Sequence, residues 1–272
     1  MTEDALSGTP SVRTMREGHL GRIILDRPAK LNALDADTAA GISRALAAWA
    51  HEGGVRQILL ESSSPRAFCA GGDLKTIRDV LLSDGPDEGF ARMDRAYGTM
   101  LQLAGYTKPV ISFLDGIVMG GGVGIGCHVG YRVVTERSVL AMPETAIGLV
   151  TDAGGSWLLS RAPGHEGLRL ALTGQRLTGA DAVRLGLADR LVPAAGSIAR
   201  LSRTVSRPAA AVFATLPKGP AALAAAGYGP GHELESCYAA PDLLTAVERL
   251  RASPGPYTHL RAPETGRKIV CR

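Results

Sequence analysis

Two glycine-rich turns, each flanked by apolar sequence typical of strands, most constrain what this chain can fold into. They are Ala67-Phe-Cys-Ala-Gly-Gly-Asp-Leu74 and Met119-Gly-Gly-Gly-Val-Gly124. Glycine lets backbone N–H groups converge where a side chain would block the approach. Two such turns that face each other could direct two N–H donors at one oxygen atom, which is an oxyanion hole. Taken alone, each turn is more simply explained as a tight junction between a strand and a helix.

The sequence does not contain the glycine, serine or histidine motifs of three other kinds of site: nucleotide-binding loops, serine esterases and zinc peptidases. The second turn has no GKS or GKT ending, and no GxGxxG register is followed by an acidic residue about twenty positions later, so nucleotide-binding loops do not match. No serine lies in a GxSxG turn and no HExxH pair occurs, which argues against serine-esterase and zinc-peptidase sites.

Length and charge narrow the classes of function. The chain has 272 residues, 45% of them hydrophobic, which predicts one domain of about 200 residues with an appendage. Its net charge of +4 is local, because residues 253–272 contain four basic residues and one acidic residue. No basic stripe runs through the rest of the chain, so nucleic acid is not an expected partner.

The N-terminus, the hydropathy and the cysteines bear on cellular location. Glu3 and Asp4 occur where a signal peptide would be basic and apolar, and no apolar run reaches the length of a membrane span. The four cysteines form no CxxC pair and match no zinc pattern. We therefore expect a cytoplasmic protein with reduced thiols, in which Cys69 packs beside the first turn rather than acting as a nucleophile.

Predicted strands and helices alternate along the chain. We predict strands at 22–25, 57–61, 110–114 and 131–134, and helices at 35–51 with Asp35 as N-cap, from 74 onward, through 93–103 and from the second turn to 127. This alternation predicts an α/β fold. The predicted regions are a flexible leader (1–15), a catalytic core (16–195), a helical C-terminal region (196–252) and an irregular basic tail (253–272).

Two carboxylates lie downstream of the second turn, in Met142-Pro-Glu-Thr-Ala-Ile-Gly-Leu-Val-Thr-Asp-Ala-Gly-Gly155. Glu144 could be an acid in the first turn of a helix, and Asp152 could be an N-cap. Their apolar surroundings would also raise both carboxyl pKa values toward neutrality, as general acid–base catalysis requires. Both interpretations stay open from the residues alone.

Four segments in order resemble the enoyl-CoA hydratase/isomerase (crotonase) superfamily. They are the two turns, the downstream segment 142–155 and Arg27-Pro-Ala-Lys-Leu-Asn-Ala-Leu34. Within this superfamily the chain is most similar to the 3-hydroxyisobutyryl-CoA hydrolases, from about residue 21 to about residue 253. The resemblance implies a spiral of ββα units with a helical C-terminal appendage, which is truncated here before several closing helices.

The resemblance also implies roles for individual residues. The N–H groups of Gly72 and Gly121 would form the oxyanion hole, and Glu144 and Asp152 would be catalytic. Hydratases carry a second glutamate where this chain has Gly124, so a hydrolase is favoured over a hydratase. The CoA and substrate contacts implied are Lys30, Leu31, Ala33, Ala70, Asp73 and Leu74.

The expected function is hydrolysis of a short-chain 3-hydroxyacyl-CoA thioester, with 3-hydroxyisobutyryl-CoA of valine breakdown as the first candidate. The alternatives are an enoyl-CoA hydratase or isomerase, and a CoA-ester-binding protein without catalysis. No metal or redox cofactor is implied, since CoA is part of the substrate. The family usually has an acidic residue immediately before the tyrosine that matches Tyr97, where this chain has Ala96. Loss of the closing helices would expose an apolar surface beside the acyl pocket and favour a homo-oligomer.

Overall fold

The computed structural model describes residues 11–197 and the single positions 201, 208 and 211. Most of the predicted leader, almost all of the predicted helical C-terminal region and the whole predicted basic tail lie outside the described residues. The strands of the described part are β1 (Val12–Glu17), β2 (Leu20–Leu25), β3 (Gln57–Ser62), β4 (Ala67–Cys69), β5 (Val110–Leu114), β6 (Ile117–Met119), β7 (Tyr131–Thr135), β8 (Val139–Ala141), β9 (Leu177–Thr178) and β10 (Arg190–Val192).

Helices connect these strands. They are α1 (Ala36–Ala50), α2 (Leu74–Ser83), α3 (Pro86–Ala104), α4 (Gly121–Cys127), α5 (Gly155–Leu159), α6 (Glu166–Thr173) and α7 (Gly179–Arg184). Two short 3-10 helices occupy Pro28–Lys30 and Glu144–Ile147. The α/β fold class predicted from the sequence is confirmed.

The strands form two sheets. The six-stranded sheet has the order β1-β2-β3-β5-β7-β10, and the four-stranded sheet has the order β4-β6-β8-β9. Apart from β1 with β2 and β8 with β9, which are antiparallel, all neighbouring strands are parallel. Parallel strands need covered faces, and both faces of the large sheet are buried: Ile58 and Leu60 pack in the main core, and Leu59 between them packs in a second, smaller core.

The first long helix shows how the sequence sets local structure. The Asp35 side chain accepts a hydrogen bond from the Thr38 N–H at 2.8 Å and caps α1, as predicted. Ile42, Leu46 and Trp49 recur at helical spacing on one face, and all three are buried in the main core. The predicted strands of the large sheet are likewise found as β2, β3, β5 and β7.

The predicted leader boundary is wrong at its C-terminal end. Residues 12–15 belong to β1, which pairs with β2 in register, Val12 opposite Leu25 and Glu17 opposite Leu20. The charged side chains of β1, Arg13, Arg16 and Glu17, interrupt the apolar pattern from which a strand is predicted. Arg13 is neutralised by Asp26 at 2.6 Å, so it can flank a buried Val12 at the sheet edge.

The small sheet positions the candidate site. Strands β4, β6 and β8 are parallel neighbours, and carboxyl ends of parallel strands meet at one edge of a sheet. The first glycine turn follows β4, the second follows β6, and Glu144 follows β8 after two residues, Met142 and Pro143. Three segments that are distant in sequence are therefore brought side by side.

Candidate active site

The two glycine turns are in contact. A Cβ added to Gly121 would lie 3.5 Å from the backbone nitrogen of Gly72. A Cβ added to Gly71 would lie 3.8 Å from the nitrogen of Gly121 and 3.1 Å from the carbonyl oxygen of Met119. Gly71 also has a left-handed backbone, with φ at 109°. A side chain at position 71 would be strained and would press on the second turn, so glycine is required there for the close approach, whereas a Cβ at position 121 would make only an ordinary contact.

The backbone N–H of Gly72 points away from the segment around Leu34, with which the first turn forms a parallel bridge. Leu34 N–H donates to the Gly71 carbonyl at 2.7 Å, and Asp73 N–H donates to the Leu34 carbonyl at 2.9 Å. In a parallel bridge of this kind the N–H of the residue between these two groups points to the other side. Among the hydrogen bonds of the described residues, neither Gly72 nor Gly121 uses its N–H as a donor. Both residues line the cavity described next, so the predicted donor pair is brought together with its donors unused.

A cavity of about 150 Å³ lies in front of the two turns. One wall is formed by α2 and α3, and its side chains are mostly apolar: Leu74, Ile77, Met93, Ala96, Tyr97 and Met100. The lining also includes Glu144 and Asp152, together with Ile147 and Leu149. The two carboxylates predicted to be catalytic therefore share one cavity with the two predicted N–H donors.

Glu144 begins the short 3-10 helix after β8 and is only 6% exposed. A Cβ at Gly120 would lie 2.9 Å from Glu144 Oε1, so the carboxylate rests against the second turn. Glu144 Oε2 is buried and has no hydrogen-bond partner among the residues that the structure describes. Burial, assisted by the negative charge of Asp152, raises the pKa of Glu144 to about 7. Glu144 is both a first-turn acid and a cavity residue, so its two sequence interpretations hold together.

Asp152 is held by a hydrogen bond. The Tyr97 hydroxyl, from α3, donates to Asp152 Oδ2 at 2.6 Å. Burial raises the pKa of Asp152, and the bond from Tyr97 opposes that rise. Asp152 is not the N-cap that one interpretation proposed, because α5 begins after Gly154.

Gly124 lies behind the cavity wall. A Cβ there would come within 2.7 Å of Met100 Sδ and 2.9 Å of Ala153 Cβ. Met100 and Ala153 themselves line the cavity. The place where the hydratase resemblance puts a second glutamate is therefore filled by these two side chains.

The residues predicted to contact CoA divide into two groups. Ala70, Asp73 and Leu74 line the cavity, whereas Lys30, Leu31 and Ala33 are absent from the cavity lining. The second group lies next to the first turn, since Ala70 N–H donates to the Leu31 carbonyl at 3.0 Å. Lys30 is exposed to solvent.

Asp73 has a structural role in addition to its place in the cavity. Its side chain accepts from the Thr76 N–H at 3.3 Å, which caps α2, and it pairs with Arg27 at 3.1 Å. Burial alone would raise the pKa of Asp73, but the bonds from Thr76 and Arg27 lower it below its ordinary value. Asp73 is thus an ionised carboxylate that ties the loop 27–34 to the first turn.

Two residues that matter here had no assigned role in the sequence interpretation. Tyr97 was noted only for the residue before it, and its bond to Asp152 spans α3 and a distant loop. Asn32, 1% exposed, donates from Nδ2 to Ser62 Oγ at 2.6 Å and to the Ala67 and Phe68 carbonyls. Its φ of 53° is left-handed, a conformation that asparagine tolerates in turns. An asparagine within the loop 27–34 is therefore the sequence signal that could have pointed to this residue.

Several other chemistries find no support in the described part of the chain. Cys69 is fully buried and burial raises the pKa of its thiol to about 12, consistent with a packing role. Within residues 11–197, His, Cys, Asp and Glu side chains form no cluster of three that could hold a metal ion. No helix there combines the length and apolar character needed to cross a membrane.

Comparison with known proteins connects this geometry to a family. The enoyl-CoA hydratase/isomerase family matches residues 20–257 of this chain. The mitochondrial 3-hydroxyisobutyryl-CoA hydrolase of Gallus gallus is 41% identical over 187 residues, which cover 66% of this chain and 47% of that protein. The chain thus spans about half the length of the curated relatives it matches.

Solved structures carry the same relationship at the level of fold. An enoyl-CoA hydratase from Rhodobacter sphaeroides is 34% identical with a TM-score of 0.70, covering 95% of this chain and 73% of that chain. A carnitinyl-CoA dehydratase from Mycobacterium thermoresistibile is 32% identical with a TM-score of 0.73, covering 96% and 80%. These matches confirm the crotonase-like α/β fold. With the family match extending over most of its length, this chain belongs to the enoyl-CoA hydratase/isomerase family.

Proposed function

We propose that this chain hydrolyses the thioester of a short-chain 3-hydroxyacyl-CoA, with 3-hydroxyisobutyryl-CoA as the first candidate substrate. The names of the curated relatives support this choice. The observation that carries it is the set of groups around one cavity: unused N–H donors at Gly72 and Gly121, and the carboxylates of Glu144 and Asp152.

The donors and Glu144 have complementary tasks in this reaction. The N–H groups of Gly72 and Gly121 would hold the thioester oxygen as negative charge develops on it, a contribution of about 10²–10³ in rate for one donor. Glu144 would accept a proton from water while the water oxygen bonds to the carbonyl carbon. The tetrahedral intermediate then expels the CoA sulfur, which takes the proton from Glu144. The products are the free acid and CoA.

A pKa of about 7 suits Glu144 for both halves of this cycle. A base with this pKa is substantially ionised at neutral pH and still returns its proton readily to a leaving group. The same carboxylate could instead attack the carbonyl carbon and form a mixed anhydride, which water then hydrolyses. Both routes need an ionised Glu144.

Asp152 and the Tyr97 hydroxyl would bind the polar part of the substrate. The pair forms a polar point in a cavity whose α2–α3 wall is otherwise mostly apolar. A carboxylate there can accept a hydrogen bond from the 3-hydroxyl of the acyl group or orient the attacking water. We further propose that Lys30, Leu31 and Ala33 contact the CoA nucleotide outside the cavity, next to Ala70, Asp73 and Leu74 at its edge.

The second candidate is an enoyl-CoA hydratase, favoured by the similarity to the Rhodobacter sphaeroides structure. Addition of water to a double bond in this family uses a second glutamate, and the corresponding place at Gly124 is filled by Met100 and Ala153. The decisive experiment is steady-state turnover of 3-hydroxyisobutyryl-CoA, followed by thiol release, against hydration of crotonyl-CoA, followed by loss of the enoyl absorbance. Thiol release with little hydration is expected. Efficient hydration of crotonyl-CoA without thiol release would overturn the proposal.

A further inference from the structure

The loop that carries Asp152 has a strained backbone. Ala153 adopts a left-handed conformation with φ at 52°, and Gly154 follows with φ at 70°. For a residue with a Cβ, this conformation is strained and persists only where surrounding contacts hold it. Asp152 immediately precedes this position, so whatever fixes Ala153 also fixes the direction of the Asp152 carboxylate.

One buried side chain supplies a contact of this kind. His128, the residue that ends α4, has its Nε2 at 3.0 Å from the Ala153 carbonyl oxygen. A carbonyl can only accept, so the ring N–H must be on Nε2. His128 is 8% exposed and does not line the cavity. It therefore contacts the loop from behind and cannot reach a substrate.

The surroundings keep this histidine neutral and in one tautomer. Burial lowers the pKa of His128 to about 4, and Arg132 and Arg161 further disfavour a second positive charge. Within the described part of the chain the other ring nitrogen, Nδ1, is buried without a hydrogen-bond partner, and the ring packs against Trp157 at 5.7 Å between centroids. The Nε2–H donor to Ala153 is therefore present in the neutral ring, and protonation would add a proton at Nδ1 without removing it.

The same helix also carries one of the candidate oxyanion donors. Gly121 is the first residue of α4, and Gly124 on that helix has no side chain, which leaves room for Ala153 to pack against it. Since α4 is a single short helix, it connects the Gly121 N–H to the Asp152 loop through His128. We propose that His128 is a positioning residue that sets the Asp152 carboxylate against Tyr97 by holding the Ala153 carbonyl.

This inference rests on the proposed hydrolase function only for its activity measurement. The test uses the full 272-residue chain with the matched variants His128→Gln and His128→Met. Glutamine and methionine have similar size and reach, but only glutamine offers an N–H near the position of Nε2. With 3-hydroxyisobutyryl-CoA, we expect His128→Met to lower kcat by about tenfold to a hundredfold, as a misplaced group does, with little change in KM. His128→Gln should restore most of the loss.

A second measurement does not depend on turnover. Side-chain carboxyl carbons of aspartate are labelled with ¹³C, and Asp152 is assigned as the resonance missing from Asp152→Asn. Displacement of the loop would weaken the bond from Tyr97, which lowers the pKa of Asp152, so His128→Met should shift that pKa upward. Glu144, the other carboxylate predicted to be catalytic, is removed from the comparison by repeating it in Glu144→Gln. His128→Gln should titrate like the unmodified chain.

Each outcome decides the question. An unchanged Asp152 titration and kcat in His128→Met would overturn the positioning role. The positioning role would also be overturned if kcat fell equally in His128→Met and His128→Gln and in parallel with their melting temperatures. The residue would then be only a packing element. If the unmodified chain turns over no thioester while Asp152 still responds to His128→Met and not to His128→Gln, the proposed function fails and the positioning role stands.

Discussion

The segments 143–148 and 151–155 each bring a carboxylate to the same cavity, but hold it differently: Glu144 is buried and Asp152 is half-buried. Glu144 stands at the start of a short 3-10 helix, with Oε2 unpartnered. Asp152 stands in a strained loop, with Oδ2 bonded to Tyr97 at 2.6 Å. Burial raises the pKa of both groups. A hydrogen bond from another side chain, that of Tyr97, opposes the rise at Asp152, whereas at Glu144 the opposing hydrogen bond comes from the backbone.

This difference teaches how one cavity can give two acids different tasks. An unpartnered carboxylate oxygen with a pKa of about 7 is available to exchange a proton or attack carbon. A carboxylate held by a phenol is fixed in direction and better suited to bind or orient. Variants of the groups around the cavity can therefore show whether Glu144 is the reacting group and Asp152 the orienting one.

Glu144→Gln should lower kcat for thioester hydrolysis by about 10³-fold, because it removes the only group assigned to accept the proton. Affinity for a CoA ester, measured by calorimetry, should change little. In the unmodified chain, kcat should rise with pH through about 7 as Glu144 ionises. Glu166→Gln is the matched control, since Glu166 is on α6, away from the cavity, paired with Arg169. Near-native turnover of Glu144→Gln would remove Glu144 from its role.

The raised pKa of Glu144 should also make the stability of the fold depend on pH. The pKa of Glu144 is about 7 when folded and near 4.5 when unfolded. Its stabilising contribution is fully present below about pH 4.5 and is lost as pH rises through about 7, a change of at most about 3 kcal/mol. The melting temperature of the unmodified chain should therefore fall more between pH 5 and pH 8 than that of Glu144→Gln. Parallel curves for the two chains would show that Glu144 is not held in the buried, raised-pKa state.

Gly124→Glu tests the Asp152 side of the cavity without touching Glu144. The new side chain must displace Met100 or Ala153, which a Cβ alone would approach to 2.7 and 2.9 Å. Displacing Ala153 moves Asp152, so we expect hydrolysis to fall by about tenfold or more and crotonyl-CoA hydration to stay weak. Gly130→Glu is the control, because a Cβ there meets nothing within 4 Å. Faster hydrolysis in Gly124→Glu would contradict this view of the cavity.

The sequence predicted the parts of this site that depend on local signals. The Asp35 cap, the apolar face of α1 and the short helix after the second turn were all legible from residue type and spacing. Apolar, strand-like sequence flanks both turns, but β4, β6 and β8 have no predicted bounds, because three residues are too few to show an alternating pattern. Their parallel pairing is what places Glu144 beside the two turns.

Contacts between distant segments were the part that residue patterns could not supply. Tyr97 reaches Asp152 from another helix, and His128 reaches Ala153 from the end of α4. Neither contact produces a periodic pattern in the sequence, since each joins one side chain to one loop position. The assignment of Lys30 and Leu31 to the CoA site rests on resemblance alone, and the structure places both outside the cavity.

Tyr97→Phe gives the smallest expected effect and the finest comparison. It removes one hydroxyl and leaves the ring that packs against the main core. The lost hydrogen bond to a carboxylate is worth about 1.5–3 kcal/mol at most, and part is recovered by water, so kcat should fall by about tenfold. Since the Tyr97 bond lowers the pKa of Asp152, its loss should raise that pKa and leave the rise of kcat near pH 7, assigned to Glu144, in place. Tyr106→Phe is the matched control, because the Tyr106 hydroxyl donates to the Leu46 carbonyl at 2.7 Å, outside the cavity lining. If Tyr97→Phe instead moves the limb near pH 7, the two carboxylates titrate as one unit, and the separation of a reacting acid from an orienting one is wrong.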